Sequence, residues 1–417
     1  GKPEVTYMLE RAVEDFARKI NMDPVEVRRI NFASKEEFPF TNTQGLIYDS
    51  GDYIKALERA VENADYEALR KEQKELREQG RYIGIGLASY VELSGFGPSA
   101  VAVGIGFQGG IWENSTVRVH PTGKVTVFTG TSPHGQGHDT TFSQIVKDKL
   151  GIPYEDINFV FNDTRAVSMG WGTYGSRSLA VGGNAVALAT DKVVEKGRLL
   201  AAHLLEAKAD DIEFNEGVYS VKGDNQKQKT FQEIAKAANF AWDMPEGMEP
   251  GLEEKTFFDP SNFTYPFGTH IAVVEVDIET GEIEILRYIS VDDSGKIVNP
   301  TVAEGQILGG IAQGVGQALW EGIQYDETGQ LQSGSFMDYT MPKAKFFPKI
   351  EMDFTETKSP VNQLGTKGVA ESGTTGSIAA TANAVIDALS PLGVKNIELP
   401  LKPEKVWRAI QKGGAES

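Results

Sequence analysis

The chain has 417 residues, 40% of them hydrophobic and 24% charged, as expected of a soluble globular protein with at least two packing units. Its formal charge of −18 argues against non-specific binding to nucleic acid, whose phosphates it would repel. Cysteine is absent, which excludes disulfides, thiolate metal sites, cysteine nucleophiles and iron–sulfur ligation by this chain. A redox role therefore needs a bound cofactor, with electrons leaving through another polypeptide.

No apolar run approaches the roughly 20 residues of a membrane span. No signal-peptide pattern opens the chain, and a cytoplasmic location is expected. The start Gly1-Lys2-Pro3-Glu4, without Met, reads as the second half of something cut or split.

Val5, Met8, Leu9, Ala12, Val13, Phe16 and Ile20 recur at helical spacing and predict a helix over 4–20 with one buried face. Asp23-Pro24-Val25-Glu26 joins a capping box to a proline at the first helical position and opens a second, short helix. Residues 51–79 carry Ile54, Leu57, Val61 and Leu69 amid dense alternating charge, read as a solvated helical face that Gly80 ends. From Arg81 the period moves toward two, predicting a strand over 82–91 and a hairpin over 116–128 that turns at Pro121-Thr122-Gly123. A helix over 140–150, a strand over 156–161 and a long Ala-rich helix over 178–207 follow. A second hairpin, 271–278 with 282–291, turns at Glu279-Thr280-Gly281. A Gly-spotted helix over 302–320, a strand over 350–354 and helices over 376–389 and 403–411 complete the chain. Strands fall mostly in hairpins and not in βαβ units, which predicts an α+β fold of mixed hairpin sheets with packed helices. A boundary near 80–83 divides a helical unit, 1–80, from a larger one, 81–417.

Gly104-Ile105-Gly106-Phe107-Gln108-Gly109 matches the dinucleotide fingerprint by letters. Gly110-Ile111-Trp112 lead into a hairpin, however, so no helix N-terminus is there for a pyrophosphate. A glycine-rich loop flanking a pocket is the better reading. His134-Gly135-Gln136-Gly137-His138-Asp139-Thr140-Thr141 sets amides and imidazoles ahead of a helix, where anions are favoured. A plain turn capped by Asp139 or Thr140 is the alternative. His134 and His138 make a weak metal pair, because no third ligand accompanies them. Gly172-Thr173-Tyr174-Gly175-Ser176-Arg177-Ser178 also precedes a helix; it reads either as an anion cradle built around Arg177 or as capping by Ser176 or Ser178. The run 309–317 puts glycines inside a helix, each costing about 1 kcal/mol relative to Ala. Close packing explains them, or else backbone approach to a ligand that Gln313 hydrogen-bonds. Finally, Lys367-Gly368-Val369-Ala370-Glu371-Ser372-Gly373 sets one carboxylate among small residues, free to reach a bulky group, with burial expected to raise its pKa toward a general base's. These loops read as the walls of one site.

Taken in order, the motifs resemble the large, molybdenum-binding subunit of the xanthine dehydrogenase/aldehyde oxidase family of molybdenum hydroxylases, from Gly1-Lys2-Pro3-Glu4 to about Leu389. The resemblance implies a pterin cofactor whose dithiolene holds molybdenum, in the cytosine dinucleotide form usual in bacterial members, with no metal ligand from the chain itself. It implies that Gly135, Gln136, Gly137 and His138 contact the pterin or its pyrophosphate. Thr173, Tyr174, Gly175, Ser176, Arg177 and Ser178 are implied to bind the dinucleotide and approach the metal. Gln313 would meet the pterin, Lys367, Val369 and Ala370 would line it, and Glu371 falls where the family has its catalytic glutamate. The implied reaction is hydroxylation with water as the oxygen source and Glu371 as general base, with [2Fe-2S] and FAD subunits as partners.

Ala370 stands where the family commonly has glycine, and Leu308 where it often has histidine. The start lies just beyond the family's active-site loop, so the N-terminal half of the large subunit is expected from another polypeptide. Gly1-Lys2-Pro3-Glu4-Val5-Thr6-Tyr7 resembles the aldehyde- and heterocycle-oxidising branch, whereas copper-containing carbon monoxide dehydrogenases differ after their Cys loop. Xanthine-oxidising members typically have two prolines where Ser372-Gly373 follow Glu371. An aldehyde or N-heteroaromatic substrate is expected. Carbon monoxide oxidation and a non-catalytic cofactor-binding half are the alternatives, and Trp171 reads as a substrate-wall or a core residue.

Overall fold

The computed structural model describes residues 1–104 and 106–413, so Ile105 of the Gly104–Gly109 run lies outside the described residues. The architecture is α+β, as the hairpin-rich pattern predicts. In the first sheet, Phe267–Val276 pairs antiparallel with Tyr82–Val91 and with Ile283–Asp293, and Ile350–Thr355 joins the latter in parallel. Successive side chains point to opposite faces of a strand. Ala272 and Val274 therefore pack with the helices Pro300–Leu319 and Ser372–Leu389, while Ile271 and Val273 pack with Tyr53–Ala64. Both faces are covered, which is why these strands read as nearly continuous apolar runs.

Small residues set how closely those helices approach. A Cβ at Gly86 would lie 2.1 Å from the Ala384 backbone nitrogen, and one at Gly314 would lie 2.0 Å from Ser377 Oγ. The glycines at 310 and 314 thus serve helix–helix contact, as the close-packing reading of that run expects, whereas a Cβ at Gly309 would meet nothing within 4 Å.

The second sheet runs Leu252–Phe258, Glu113–Val119, Val125–Thr129, Ile157–Phe161, antiparallel except for its last pair. It packs on helices His138–Leu150, Asn184–Leu204 and Phe231–Phe240. The long helix predicted over 178–207 opens with a wider π-type turn, Ser178–Gly183, before the regular helix begins. A meander of Ile212–Asn215, Val218–Val221 and Asp224–Thr230 goes unpredicted, as do helix Phe231–Phe240 and strand Leu252–Phe258. Residues 51–79 form two helices, Tyr53–Ala64 and Tyr66–Glu78, hinged at Asp65, whose φ is +50°. Ala56, Leu57, Ala60 and Ala64 are buried against Ile83, Ile85 and Leu87, so the solvated reading describes only one side of this segment.

The first helix, Lys2–Lys19, forms where predicted but faces the other way. Its buried residues are Glu10, Arg11, Glu14 and Ala17, while Val5, Met8, Leu9, Phe16 and Ile20 are exposed. Periodicity finds a face but not its partner. The inward side is held by buried Arg28, which donates to Glu10 at 2.6 Å and to Glu14 at 3.1 Å. Arg11 donates to Asn383 Oδ1 at 2.9 Å and to the Lys395 carbonyl at 3.0 Å. Turning the helix over would strand these charges, and breaking one buried ion pair costs about 3–5 kcal/mol. No described helix is long and apolar enough to cross a membrane.

Candidate active site

A cavity of about 240 Å³ is lined by residues at the N-terminal ends of His138–Leu150, of the turn Ser178–Gly183, of Pro300–Leu319 and of Ser372–Leu389. Helix N-termini present unpaired N–H groups and partial positive charge, so they favour an anion here despite the acidity of the whole chain. The structure brings the three predicted loops together on this wall. Gln136 and His138 come from the first, Thr173, Tyr174, Gly175, Ser176 and Ser178 from the second, and Lys367, Val369, Ala370 and Glu371 from the third. Gly135 and Gly137, with φ of +102° and +72°, give the first loop its bend on either side of Gln136.

Arg177 and Gln313 are not on the wall. Arg177 is fully buried, and its guanidinium donates to Glu113 Oε2 at 2.9 Å and to the carbonyls of Phe96, Gly172, Ile111 and Trp112. It is a strut behind the loop and has no donor left for a dinucleotide. Gln313 is exposed, and its side-chain oxygen accepts from Thr374 Oγ1 at 3.3 Å. Gln306, two turns earlier on the same helix, reaches the cavity instead. The ammonium of Lys367 is engaged by the Ser50 carbonyl at 3.2 Å and lies 3.9 Å from Asp293. Trp171 packs edge-on against Phe107 and takes no part in the wall.

The opposite wall, Ser294, Lys296, Asn299 and Gln306, is not among the predicted residues. Its readable signal is the turn Asp293-Ser294-Gly295-Lys296 after a strand, followed by Asn299, whose side chain caps Val302 N at 2.9 Å. Two buried polar atoms at the cavity, His138 Nδ1 and Ser294 Oγ, have no hydrogen-bond partner among the described residues. The His138 ring stacks on Phe142 at 5.1 Å. Burial, with the neighbouring His134 charge, pushes its pKa down to about 4, so the ring is neutral at neutral pH. Unpaired polar atoms, helix N-termini and an apolar floor fit a phosphorylated pterin.

Glu371 caps the helix Ser372–Leu389. Gly368 lets its loop run against the second one, because a Cβ there would stand 2.4 Å from Ser176 Cβ. Ser176 itself has φ +52°, an uncommon state for a residue with a side chain, and its Oγ donates to Glu371 at 3.0 Å. From the first helix, Lys2 Nζ bridges Glu371 at 2.8 Å and Glu92 at 2.9 Å. Burial pushes the Glu371 carboxyl up, but hydrogen bonding with Glu92 and Lys2, the Lys2 charge and Ser176 outweigh it, and its pKa lies below the ordinary glutamate value. This corrects the expectation of a raised pKa: the group is ionised, and its basicity is moderate.

Glu92, fully buried at the end of strand Tyr82–Val91, holds the proton of the pair. Burial, then its hydrogen bond with Glu371, pushes its pKa up to about 8 from 4.5. The native state therefore binds a proton that the unfolded chain releases, and the stability this brings is complete below pH 4.5 and lost as pH rises through about 8. His138 acts in the opposite sense between pH 6.5 and about 4, and Glu371 only below 4.5, so neither overlaps the upper part of the Glu92 window. Urea unfolding between pH 6.5 and 8 should show wild-type stability falling with pH and the Glu92→Gln chain much flatter. Equal slopes would place the proton elsewhere.

A family model described as a molybdopterin cofactor-binding domain matches residues 59–348, more than half of the chain, and a second of the same description matches residues 1–32. The chain belongs to the molybdopterin cofactor-binding domain family. Among its relatives, the carbon monoxide dehydrogenase large chain of Hydrogenophaga pseudoflava is 42% identical over 412 residues, which cover 98% of this chain and 51% of the relative. The structure of carbon monoxide dehydrogenase from Oligotropha carboxidovorans superposes with a TM-score of 0.94 at 38% identity, covering 100% of this chain and 52% of its own. Quinoline 2-oxidoreductase from Pseudomonas putida 86 gives 0.92 at 38% identity, with coverage of 98% and 52%. This molybdopterin-binding chain thus spans about half the length of the relatives it matches.

Proposed function

We propose that this chain is the catalytic half of the large subunit of a molybdenum hydroxylase, one that oxidises an N-heteroaromatic compound or an aldehyde with water as the oxygen source. The observation that carries the reading is Glu371, a carboxylate kept ionised by Glu92, Lys2 and Ser176 on the wall of an anion-favouring cavity. When bound, the molybdenum–pterin group, taken here in its cytosine dinucleotide form, supplies two-electron redox chemistry. The chain's own residues hold it and move a proton. Gln136, His138, Thr173 and Ser178 on one wall, and Ser294, Lys296 and Gln306 on the other, offer donors to the pterin and its phosphates. Val369 and Ala370 keep the space before Glu371 free of bulk, and Glu371 takes the proton of the oxygen nucleophile as general base. Likeness to quinoline 2-oxidoreductase supports the heteroaromatic substrate class. The lack of cysteine supports electron exit through [2Fe-2S] and FAD subunits. Matches at 1–32 and 59–348 support a division of the chain between two molybdopterin-binding domains.

Carbon monoxide oxidation is the second reading, favoured by the 42% identity to a carbon monoxide dehydrogenase large chain. Metal analysis and dye reduction on the isolated enzyme separate the two. Stoichiometric molybdenum without copper, and dye reduction driven by quinoline or an aromatic aldehyde, is the expected result. Stoichiometric copper with CO-driven reduction would move the assignment to the second reading, and absence of molybdenum would end both.

A further inference from the structure

Among the described residues, seven that are not glycine have positive φ, and Ser176, at +52°, is the one of them that lines the cavity. Glycine enters that region at no steric cost, whereas a serine there is uncommon. The backbone on either side is pinned. The Gly175 carbonyl accepts from Gly95 N at 3.1 Å, and Arg177 N donates to the Tyr174 carbonyl at 3.2 Å. Behind them the Arg177 guanidinium is tied to Glu113 and to the carbonyls of Phe96 and Ile111. Strain of this kind persists where the surroundings over-determine it, and it gathers at sites of function. What serine has and glycine lacks at this position is a hydroxyl, whose single donor goes to Glu371 Oε2 at 3.0 Å.

Three groups hold that carboxylate, and they differ in rigidity. Lys2 Nζ, at 2.8 Å, ends a flexible four-carbon stem that is 32% exposed. Glu92 contributes only through the proton it carries. Ser176 Oγ stands one bond from its Cβ, on backbone fixed from both sides. The Glu371 loop is fixed against it in turn, because Gly368 N donates to Ser94 Oγ at 3.2 Å and a Cβ at Gly368 would stand 2.4 Å from Ser176 Cβ. We infer that Ser176 is the positioning residue of the site: its hydroxyl, carried on left-handed backbone, sets the direction in which Glu371 presents its carboxylate to the cavity. The one side-chain donor of Ser176 is thereby spent, and a pterin or phosphate is left to the other donors of the wall. This role rests on Glu371 being the general base of the proposed reaction.

In the isolated enzyme, Ser176→Ala and Ser176→Gly should each lower kcat by about 10- to 100-fold, the weight of a misaligned reacting group, with KM and molybdenum content unchanged. Loss of a donor to the ionised carboxylate should also move the acid limb of kcat/KM upward. Lys2 and Glu92, the titratable groups that face Glu371, stay in place in both variants. Glycine adopts a φ of +52° freely, so a defect shared by the two variants comes from the missing hydroxyl and not from a damaged fold. In a Glu371→Gln background neither substitution should change the residual turnover more than about twofold, since coupled residues do not add. If Glu371→Gln abolishes turnover while both Ser176 variants keep the wild-type kcat and acid limb, the positioning role is wrong and the general base stands. If Glu371→Gln keeps turnover, the general base is wrong and the positioning role falls with it. Molybdenum lost from the Ser176 variants would return the hydroxyl to the cofactor's hold and also overturn the assignment.

Discussion

Replacing Glu371 by Gln should lower turnover of the assembled enzyme by about 10²- to 10⁴-fold, the usual weight of a positioned general base, while its molybdenum content stays unchanged. The amide keeps the size of the side chain, and the contacts that cap the helix through the Glu371 carbonyl, to Thr375 N at 3.0 Å and Thr375 Oγ1 at 2.8 Å, belong to the backbone. What is lost is the charge and the ability to take a proton. Because Glu92, Lys2 and Ser176 hold the carboxyl below its ordinary pKa, the acid limb of kcat/KM should lie below pH 4.5 in the wild type. Lys2→Met should move that limb upward without abolishing turnover. Turnover that survives Glu371→Gln would favour a cofactor-binding half whose chemistry resides elsewhere. Loss of molybdenum along with activity would make the residue part of the cofactor's hold.

The strands and hairpins were legible because their patterns are local: alternation over 82–91 or 271–278 and turns such as Glu279-Thr280-Gly281 carry their own signal. The three loops of the site were legible for a related reason, since glycines and small polar residues ahead of a helix mean a wall able to approach a ligand. Two of the failures, at the first helix and at Glu371, share a cause, which is distance along the chain. The first helix has the expected apolar stripe, but what chooses its buried side is Arg28 together with Asn383, the latter 372 residues away from Arg11. The ionisation of Glu371 depends on Lys2, 369 residues earlier. Strand Asp224–Thr230 has no apolar residue to alternate and takes its form from its neighbour in the meander. Helix Phe231–Phe240 is a different case, because Thr230 and Glu233 form a reciprocal capping box that the sequence displays.

Arg177 shows most clearly how long-range acceptors override a local reading, and Arg177→Met should unfold the site that the local reading assigns it to. Next to a helix start, among hydroxyls, an arginine suggests an anion ligand. The acceptors that claim it, Phe96, Ile111, Trp112 and Glu113, lie 64 to 81 residues upstream. Met fills a similar volume but leaves the Glu113 carboxyl at zero exposure without its cation, its remaining contacts being the backbone N–H groups of Asn114 at 3.0 Å and Trp171 at 3.2 Å. Breaking a buried pair from one side costs about 3–5 kcal/mol, and the orphaned carbonyls add to it. The urea midpoint should fall by the corresponding amount with m unchanged. Arg177→Lys should recover little, since an ammonium brings three donors where the fork brings five. Adding Glu113→Gln to Arg177→Met removes the stranded charge and should restore part of the loss, a coupling that a double-mutant cycle reads directly. Wild-type stability in Arg177→Met, with phosphate or cofactor binding weakened, would instead return the guanidinium to the cavity as a free anion donor.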